Sequence, residues 1–427
     1  MTKQVSVAPS ARRLTTSLRD IGYSFESAVA DIVDNSIAAG ATRIDITVTF
    51  AGKNSSVVIK DDGDGMTGNA IDEAMRFGSR RSYANQDLGR YGLGLKTASL
   101  SQCRRVSVVS KSEASEIQAR ILDLDFIQSV DDWVTLDHSD EEYIREQAIQ
   151  FIGSSGTIVM WEKLDRLLPL KSPDSGWARR RIEGLVPKVS AYLSMVFHRF
   201  LSGEAYAKTQ ILVNGEELKP WDPFARAEPK TRQLETDEFE IEHDDITDVV
   251  TVKRYLLPQR DDFSSREAFE TASGIEKWNK QQGLYIYRAD RLVQWGGWSK
   301  IRTIDEHTKL ARASVDFGTN LDDAFNINVA KMRVNLPSQL RKMLSRPVNE
   351  LCIAADAAYR RAHAKKLQEE ADQVDLKPEF GGAESGEAIG LALRTAAART
   401  GNFEALSAIS ELLKEEMPEL ARHLGFD

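Results

Sequence analysis

Three short clusters of polar and glycine residues between positions 31 and 97 constrain the fold of this chain more than any other feature. In order, they are Asp31-Ile-Val-Asp-Asn35, Asp61-Asp-Gly-Asp-Gly-Met66 and Gly89-Arg-Tyr-Gly-Leu-Gly-Leu-Lys-Thr97. Each one interrupts or adjoins a segment with a clear apolar period, so each is expected on a helix face or at the end of a strand or helix. The sequence therefore predicts a mixed helix-and-sheet domain that gathers its functional groups from several elements.

The first cluster lies on a predicted helix between Ser24 and Gly40. Its apolar stripe is formed by Val29, Ile32, Val33 and Ile37. Asp31 and Asn35 are four residues apart and share the opposite face. A carboxylate and an amide on one polar face suit a base for water and an oxygen ligand for a hard cation such as Mg²⁺. An ordinary solvated helix face is the alternative.

The second cluster directly follows the predicted strand at 57–59. Two alternate glycines let the backbone approach a flat ligand, and a carboxylate at the end of the strand can accept a hydrogen bond from an amino group. The cluster shares Asp-x-Asp-Gly with calcium loops, but no helix–loop–helix pattern surrounds it, which excludes an EF-hand. An acidic turn remains the simpler alternative.

The third cluster precedes a predicted helix that runs to Leu100. Its glycines leave several backbone N–H groups able to face an anion at the start of the helix. Lys96 and Thr97 add a charge and a hydroxyl. The run is neither a Walker A loop nor a GxGxxG motif, because Leu95 follows Gly94 and Thr97 stands at the position of the last glycine.

Composition excludes several classes of protein. The chain has 427 residues, 41% of them hydrophobic, and a net charge of −9, which argues against a surface that coats nucleic acid. Two cysteines and six scattered histidines provide neither a disulfide framework nor a cysteine zinc site. No apolar run reaches the roughly 18 residues of a membrane span, and no signal peptide is recognised, so we expect a cytoplasmic protein.

Taken in this order, the three clusters resemble the N-box and two glycine boxes of the GHKL ATPase superfamily, which includes gyrase B, heat-shock chaperones, sensor histidine kinases and MutL. The phrases ADIVDNSIAAGA, DDGDGMT and GRYGLGLKTAS are most similar to the MutL and MORC branch and its bacterial relatives. Gly156-Thr157, at the start of a predicted strand, is similar to the third box of that branch.

The resemblance implies an α+β Bergerat fold, in which a layer of helices covers a mixed sheet and ATP with Mg²⁺ lies between them. Asn35 would then ligate Mg²⁺, and Asp61 would accept the adenine amino group with support from Thr157. The floor under the adenine would be formed by Gly63, Gly65 and Met66. The residues implied to close over the phosphates are Gly89, Arg90, Tyr91, Gly92, Leu93, Gly94, Leu95, Lys96 and Thr97.

One position departs from the family pattern. The residue that activates water is usually Glu, and Asp31 occupies that place. Asp is one methylene shorter, and a general base must lie within hydrogen-bonding reach of its water. Asp31 is expected to act as the base; the alternative is slow hydrolysis by a nucleotide-gated switch.

The predicted organisation has four parts. Residues 1–23 form an arm, 24–165 the ATP-binding domain, 177–345 a transducer-like α/β domain, and 346–427 a charged helical tail with a linker near 373–385. Within the third part, the segment around Lys331 resembles the one in which a transducer lysine reaches the γ-phosphate. Lys331 is therefore predicted to be a second catalytic residue.

Two further patterns stay open at this stage. Asn214-Gly215 is typical of a tight hairpin turn. The aromatic residues of 283–298 fit either a platform that stacks nucleic-acid bases or ordinary core packing.

The resemblance implies an ATPase in which ATP binding joins two copies of the chain. DNA, or a partner protein encoded nearby, is a candidate for the molecule acted on. A non-hydrolysing nucleotide-binding adaptor is the alternative. A histidine kinase is disfavoured, because only 34 residues precede Asn35 and none of them is His.

Overall fold

The alternating pattern of Ile44, Ile46 and Val48 becomes an interior strand of the first sheet, with these three side chains buried. The computed structural model describes residues 9–20, 22–77, 94–169, 171–244, 246–327, 334–373 and 385–426. The chain divides into two compact units, 1–362 and 363–427. The first unit contains all of the described sheets.

From residue 11 to residue 217, short groups of helices and strands follow one another along the chain. The strands are β1 (Arg43–Thr49), β2 (Ser56–Asp61), β3 (Arg105–Lys111), β4 (Gln118–Asp123), β5 (Leu136–Asp137), β6 (Gly156–Glu162), β7 (Gln210–Val213) and β8 (Glu216–Glu217). The helices are α1 (Ala11–Leu18), α2 (Phe25–Ala38), α3 (Gly68–Met75), α4 (Gly94–Gln102), α5 (Leu124–Val130), α6 (Glu142–Phe151), α7 (Gly176–Glu183), α8 (Leu185–Val196) and α9 (His198–Ser202).

The strands of this part form one mixed sheet. Its order within the described residues is β5-β4-β3-β6-β2-β1-β7-β8, and β1 pairs with β7 in parallel while the other neighbours are antiparallel. Helices α2 and α4 pack on the sheet, and Phe25 of α2 meets Trp161 of β6 edge-on, with 6.2 Å between ring centroids. The predicted layer of helices over a mixed sheet is confirmed.

A second sheet follows with its own hydrophobic core. Its strands are β9 (Arg232–Gln233), β10 (Asp237–His243), β11 (Ile246–Leu256), β12 (Gly283–Arg288), β13 (Arg291–Gln294) and β14 (Ala311–Phe317), with helices α10 (Arg266–Ala272) and α11 (Lys277–Gln281) between β11 and β12. Its order is β10-β11-β14-β12-β13, with β9 beside β11. The long helix α12 (Ser338–Gln373) buries Leu340, Leu344 and Leu351 in this core.

The second unit is helical, as the sequence predicts. It contains the end of α12 and helices α13 (Ser385–Thr400), α14 (Phe403–Glu416) and α15 (Pro418–His423). Ala397, Ala421 and Phe426 are buried in it. No helix among the residues described here has the length and apolar character that a membrane span requires.

The structure differs from the predicted organisation at two places. The stretch expected to be an arm forms α1 over Ala11–Leu18, in which Ser10 caps the first turn and Ala11 and Thr15 are buried. The segment from Trp177 to Leu218, expected in the transducer-like part, supplies β7, β8 and core residues to the first sheet. Local pattern cannot show which of two cores a helix joins. The boundaries of the nucleotide-binding and transducer-like parts stay predictions.

The two open patterns are resolved by the structure. Asn214 and Gly215 have φ values of +48° and +84° and form the turn between β7 and β8, so the hairpin is confirmed. Tyr285, Tyr287 and Trp298 are buried in the second core. A stacking platform built on these side chains is therefore wrong, because alternate aromatics face the hydrophobic core instead of solvent.

Removing a large side chain from α8 tests whether that helix belongs to the first core. Leu193 is fully buried there, so Leu193→Ala is expected to lower the free energy of unfolding by about 2–5 kcal/mol. Leu391→Ala is the matched control, because Leu391 is 67% exposed and its truncation is expected to change stability by less than about 0.5 kcal/mol. Denaturant unfolding measures both, and equal effects would contradict this packing.

Candidate functional site

The first and third clusters meet where α2 passes the start of α4. Asp31 lies on α2 and is only 2% exposed, whereas Asn35, one turn later, is exposed. The Tyr23 hydroxyl donates a hydrogen bond of 2.7 Å to Asp31 Oδ2. A Cβ atom on Gly94, the first residue of α4, would lie 3.4 Å from the same Oδ2. The structure thus places the candidate base directly beside the helix start that is predicted to face the phosphates.

The second cluster follows β2 and is held by α2. Asp61 ends that strand, and its Oδ2 accepts a hydrogen bond of 2.8 Å from the Ser36 hydroxyl. Its Oδ1 accepts one of 3.0 Å from the Gly63 amide. Burial raises the pKa of Asp61, and these hydrogen bonds oppose that rise. Each carboxylate oxygen has two lone pairs, so Asp61 keeps the capacity to accept a further donor such as an amino group.

The two predicted floor glycines are required by close main-chain contacts. A Cβ on Gly63 would lie 2.7 Å from the Ala39 carbonyl oxygen. Gly65 has a φ of +67°, and a Cβ there would lie 1.8 Å from the Lys111 carbonyl oxygen. These glycines let the chain turn tightly past α2 and β3, which sets the shape of the cluster.

Thr157 and Met66 are connected through a residue that the sequence did not reveal. The Ser110 hydroxyl accepts a hydrogen bond of 2.8 Å from the Met66 amide and lies 2.9 Å from the Thr157 hydroxyl. Thr157 stands opposite Asp61 in the pairing of β2 with β6. Ser110 faces Thr157 in the pairing of β3 with β6, so only knowledge of the strand order would have identified it.

Lys96 is buried and engaged with α3. Its Nζ donates a hydrogen bond of 2.6 Å to the Ala74 carbonyl oxygen, and the residue is 2% exposed. Burial lowers the pKa of Lys96 to about 8. Thr97 is buried and shares a hydrogen bond with Tyr23, and Leu95 packs against the first core. The predicted contact of Lys96 with a phosphate stays a prediction.

Six predicted site residues lie outside the described residues: Gly89, Arg90, Tyr91, Gly92, Leu93 and Lys331. The residues on either side of the Lys331 segment are described. Ile327 and Val334 are both buried in the second core. The Val334 amide donates a hydrogen bond of 3.2 Å to Gln294 Oε1 at the end of β13.

An arginine from the second sheet also reaches α2. Arg291 begins β13, and its Nε donates a hydrogen bond of 2.8 Å to Oδ1 of Asp34, which is fully buried. Its Nη2 lies 3.8 Å from Asp31 Oδ1. Burial alone would lower the pKa of Arg291, but the nearby carboxylates, Asp34 first, raise it overall. Arg291 therefore stays charged against two buried carboxylates.

Sequence reasoning missed Tyr23, Ser110 and Arg291. Burial and the charge of Asp31 both raise the pKa of Tyr23 far above its ordinary value, so its hydroxyl keeps its proton and remains a donor. Arg291 lies 257 positions after Asp34, and no local pattern indicates such a pairing. Tyr23 and Arg291 show that Asp31 and Asp34 are part of a buried polar network.

Substitution of Gly65 tests the close approach at the second cluster. Gly65→Ala is expected to destabilise the fold more than Gly215→Ala. Both residues have positive φ, but an added Cβ would lie 1.8 Å from the Lys111 carbonyl oxygen at Gly65 and would meet no atom within 4 Å at Gly215. Gly215→Ala should cost about 1–2 kcal/mol from its backbone conformation alone. Thermal or denaturant unfolding compares the two variants, and equal losses would contradict the contact with Lys111.

The lowered pKa of Lys96 predicts a pH-dependent stability. The folded-state pKa of about 8 lies below the unfolded value near 10.5, so between these values the unfolded chain binds more protons and stability rises with pH. Relative to Lys96→Met, wild type is expected to gain on the order of 3 kcal/mol in unfolding free energy from about pH 7 to about pH 10.5. Denaturant titrations of both proteins across this pH range test the prediction. If the difference in unfolding free energy between wild type and Lys96→Met does not change with pH, the Lys96 amine is not buried as described.

Comparison with known families gives one match. Residues 23–154 match the family model described as histidine kinase-, DNA gyrase B- and HSP90-like ATPase. The matched range contains the three clusters, α2 and α4, and ends before Thr157. No curated protein matches the chain. The match supports a GHKL-type ATPase domain, and with it nucleotide binding, in this part of the chain.

Proposed function

We propose that the chain binds ATP with Mg²⁺ in its first domain and hydrolyses it, and that nucleotide binding joins two copies of the chain. The observation that carries this proposal is the convergence of the three clusters. The Asp31 carboxylate on α2 lies beside the start of α4, and Asn35 is exposed one turn later on the same helix. Asp61, at the end of β2, accepts a hydrogen bond from Ser36 of α2. The match over residues 23–154 supports the same activity.

The side chains present suit the ligand. Asn35 offers an exposed amide oxygen, which is a typical ligand of Mg²⁺, a cation that keeps several waters and binds substrate phosphates. Asp61 would accept the adenine amino group above the turn formed by Gly63, Gly65 and Met66. Mg²⁺ would supply neutralisation of the phosphate charge. Gly94 to Thr97, with the preceding residues from Gly89, would cover the phosphates.

In this scheme, Asp31 accepts the proton from the attacking water. Tyr23 donates to Asp31 Oδ2 and so fixes the orientation of the carboxylate. Asp31 is one methylene shorter than the usual Glu, so α2 has to lie closer to the water for the carboxylate to reach it. Because this reach is harder to achieve, we expect slow turnover of ATP. Lys331 would meet the terminal phosphate and stabilise the charge that develops there.

Action on DNA or on a partner protein, close kinship with the MutL and MORC branch, and a cytoplasmic location belong to the same proposal. ATP-gated dimerisation would convert nucleotide state into a change of shape. The resemblance of the three clusters supports the first two assignments, and the low cysteine count supports the location.

A non-hydrolysing adaptor is the second candidate. It is favoured by the burial of Asp31, which is 2% exposed and already engaged by Tyr23. A carboxylate held in this way would shape the site without contacting water.

Two substitutions separate binding from hydrolysis. Asn35→Ala is expected to abolish Mg-ATP binding and the change from monomer to dimer with a non-hydrolysable ATP analogue, because it removes the metal ligand. Asp31→Asn is expected to keep ATP binding while lowering steady-state phosphate release by about 100-fold or more. Calorimetry, light scattering and phosphate-release assays measure these effects, with Asn54→Ala as a control at an exposed asparagine.

Each alternative outcome has a meaning. ATP binding without phosphate release by wild type would establish the adaptor. Equal phosphate release by wild type and Asp31→Asn would remove Asp31 as the base. Repeating the light-scattering measurement of molecular mass with duplex DNA present tests whether the ATP-bound dimer binds DNA.

A further inference from the structure

The hairpin of β12 and β13 carries a charged residue into the first domain. Ala289 and Asp290 form its turn, both with positive φ, which gives the tight two-residue connection. Asp290 is anchored to α9 by an ion pair of 3.1 Å with Arg199. The next residue, Arg291, is 1% exposed and points its guanidinium at α2. The pairing of β12 with β13, in which Arg291 stands opposite Arg288, places Arg291 against the helix that carries the candidate base.

The contacts of Arg291 use two arms of its guanidinium. One nitrogen, Nε, bonds to Asp34 at 2.8 Å, and another, Nη2, lies 3.8 Å from Asp31 Oδ1. All three residues are at most 2% exposed. A buried charge that loses its partner is strongly destabilising, so these groups favour the arrangement in which the guanidinium faces both carboxylates. A lysine has one point charge and could not occupy both positions at once.

The structure assigns to Arg291 the role of a positioning residue, which we propose holds the Asp31 carboxylate in its hydrolytic orientation and couples α2 to the second sheet. This inference rests on the ATPase activity proposed above. Asp31 lies between Tyr23 on Oδ2 and Arg291 near Oδ1, so its carboxylate plane is defined from both sides. Arg291 acts through Asp31 and Asp34 and contacts no reacting atom.

The other end of β13 contacts a second segment that is predicted to belong to the site. Gln294, three residues after Arg291, accepts a hydrogen bond from the amide of Val334. Val334 is the first described residue after the segment that contains Lys331. One short strand therefore connects the helix of the base with the edge of the predicted phosphate-contacting segment.

Measurements of kcat and of ATP affinity on the full chain test this role. Arg291→Lys keeps a positive charge beside Asp34 but loses the second arm, so we expect a folded protein with unchanged ATP affinity and a kcat lowered about 10–100-fold. Arg291→Met with Asp34→Asn removes Arg291 together with the carboxylate to which it donates, while Asp31 loses the nearby guanidinium and keeps its hydrogen bond from Tyr23. This double variant is expected to stay folded, with a denaturant midpoint closer to that of wild type than Arg291→Met alone, and still to show the lowered kcat.

Asp290→Asn is the matched control. Asp290 lies in the turn next to Arg291, and its replacement by Asn weakens the ion pair with Arg199 of α9. Asn tolerates the positive φ of this position. Its kcat is expected to stay within about twofold of wild type.

The outcomes separate this inference from the proposed function. Wild-type kcat in Arg291→Lys, or recovery of wild-type kcat in the folded double variant, would overturn the positioning role and leave the ATPase intact. An equal loss of kcat in Asp290→Asn would also overturn it, because the effect would then belong to the whole hairpin. Absence of turnover in wild type would overturn both.

Discussion

The burial of the Asp31 carboxylate is the constraint on which the described site depends. A charged group that is 2% exposed must be paired or hydrogen-bonded, and its neighbours come from three separate stretches of the chain. Tyr23 precedes α2, Gly94 begins α4, and Arg291 begins a strand of the second sheet. Moving Tyr23 or Arg291 away would leave a buried charge poorly compensated. The position of α2 over the first sheet is therefore tied to both domains.

The sequence predicted those parts of the site that depend on local spacing. The helical period of α2 placed Asp31 and Asn35 on neighbouring turns, and the apolar run at 57–59 placed Asp61 at the end of a strand. Ser110, Tyr23 and Arg291 were missed, because each acts through a partner brought near by the strand order or by the packing of the second sheet. The α1 helix was missed because its buried residues, Ala11 and Thr15, are small, whereas the larger Leu14 is exposed.

For Lys96, the sequence predicted the position in the fold but not the contact that the side chain makes. Its place at the start of α4 was expected, yet its amine donates to the Ala74 carbonyl in the interior. Such a contact cannot be derived from spacing, because it depends on how closely α3 approaches α4. The same closeness lowers the pKa of this lysine, so its charge responds to pH nearer neutrality than a surface lysine.

Titration of Mg-ATP into the full wild-type chain by calorimetry measures nucleotide binding itself, on which the proposed function depends. We predict a saturable isotherm with one nucleotide per chain, which disappears when Mg²⁺ is chelated. A folded protein that gives no heat of binding at any accessible ATP concentration would mean that the three clusters do not form an ATP site.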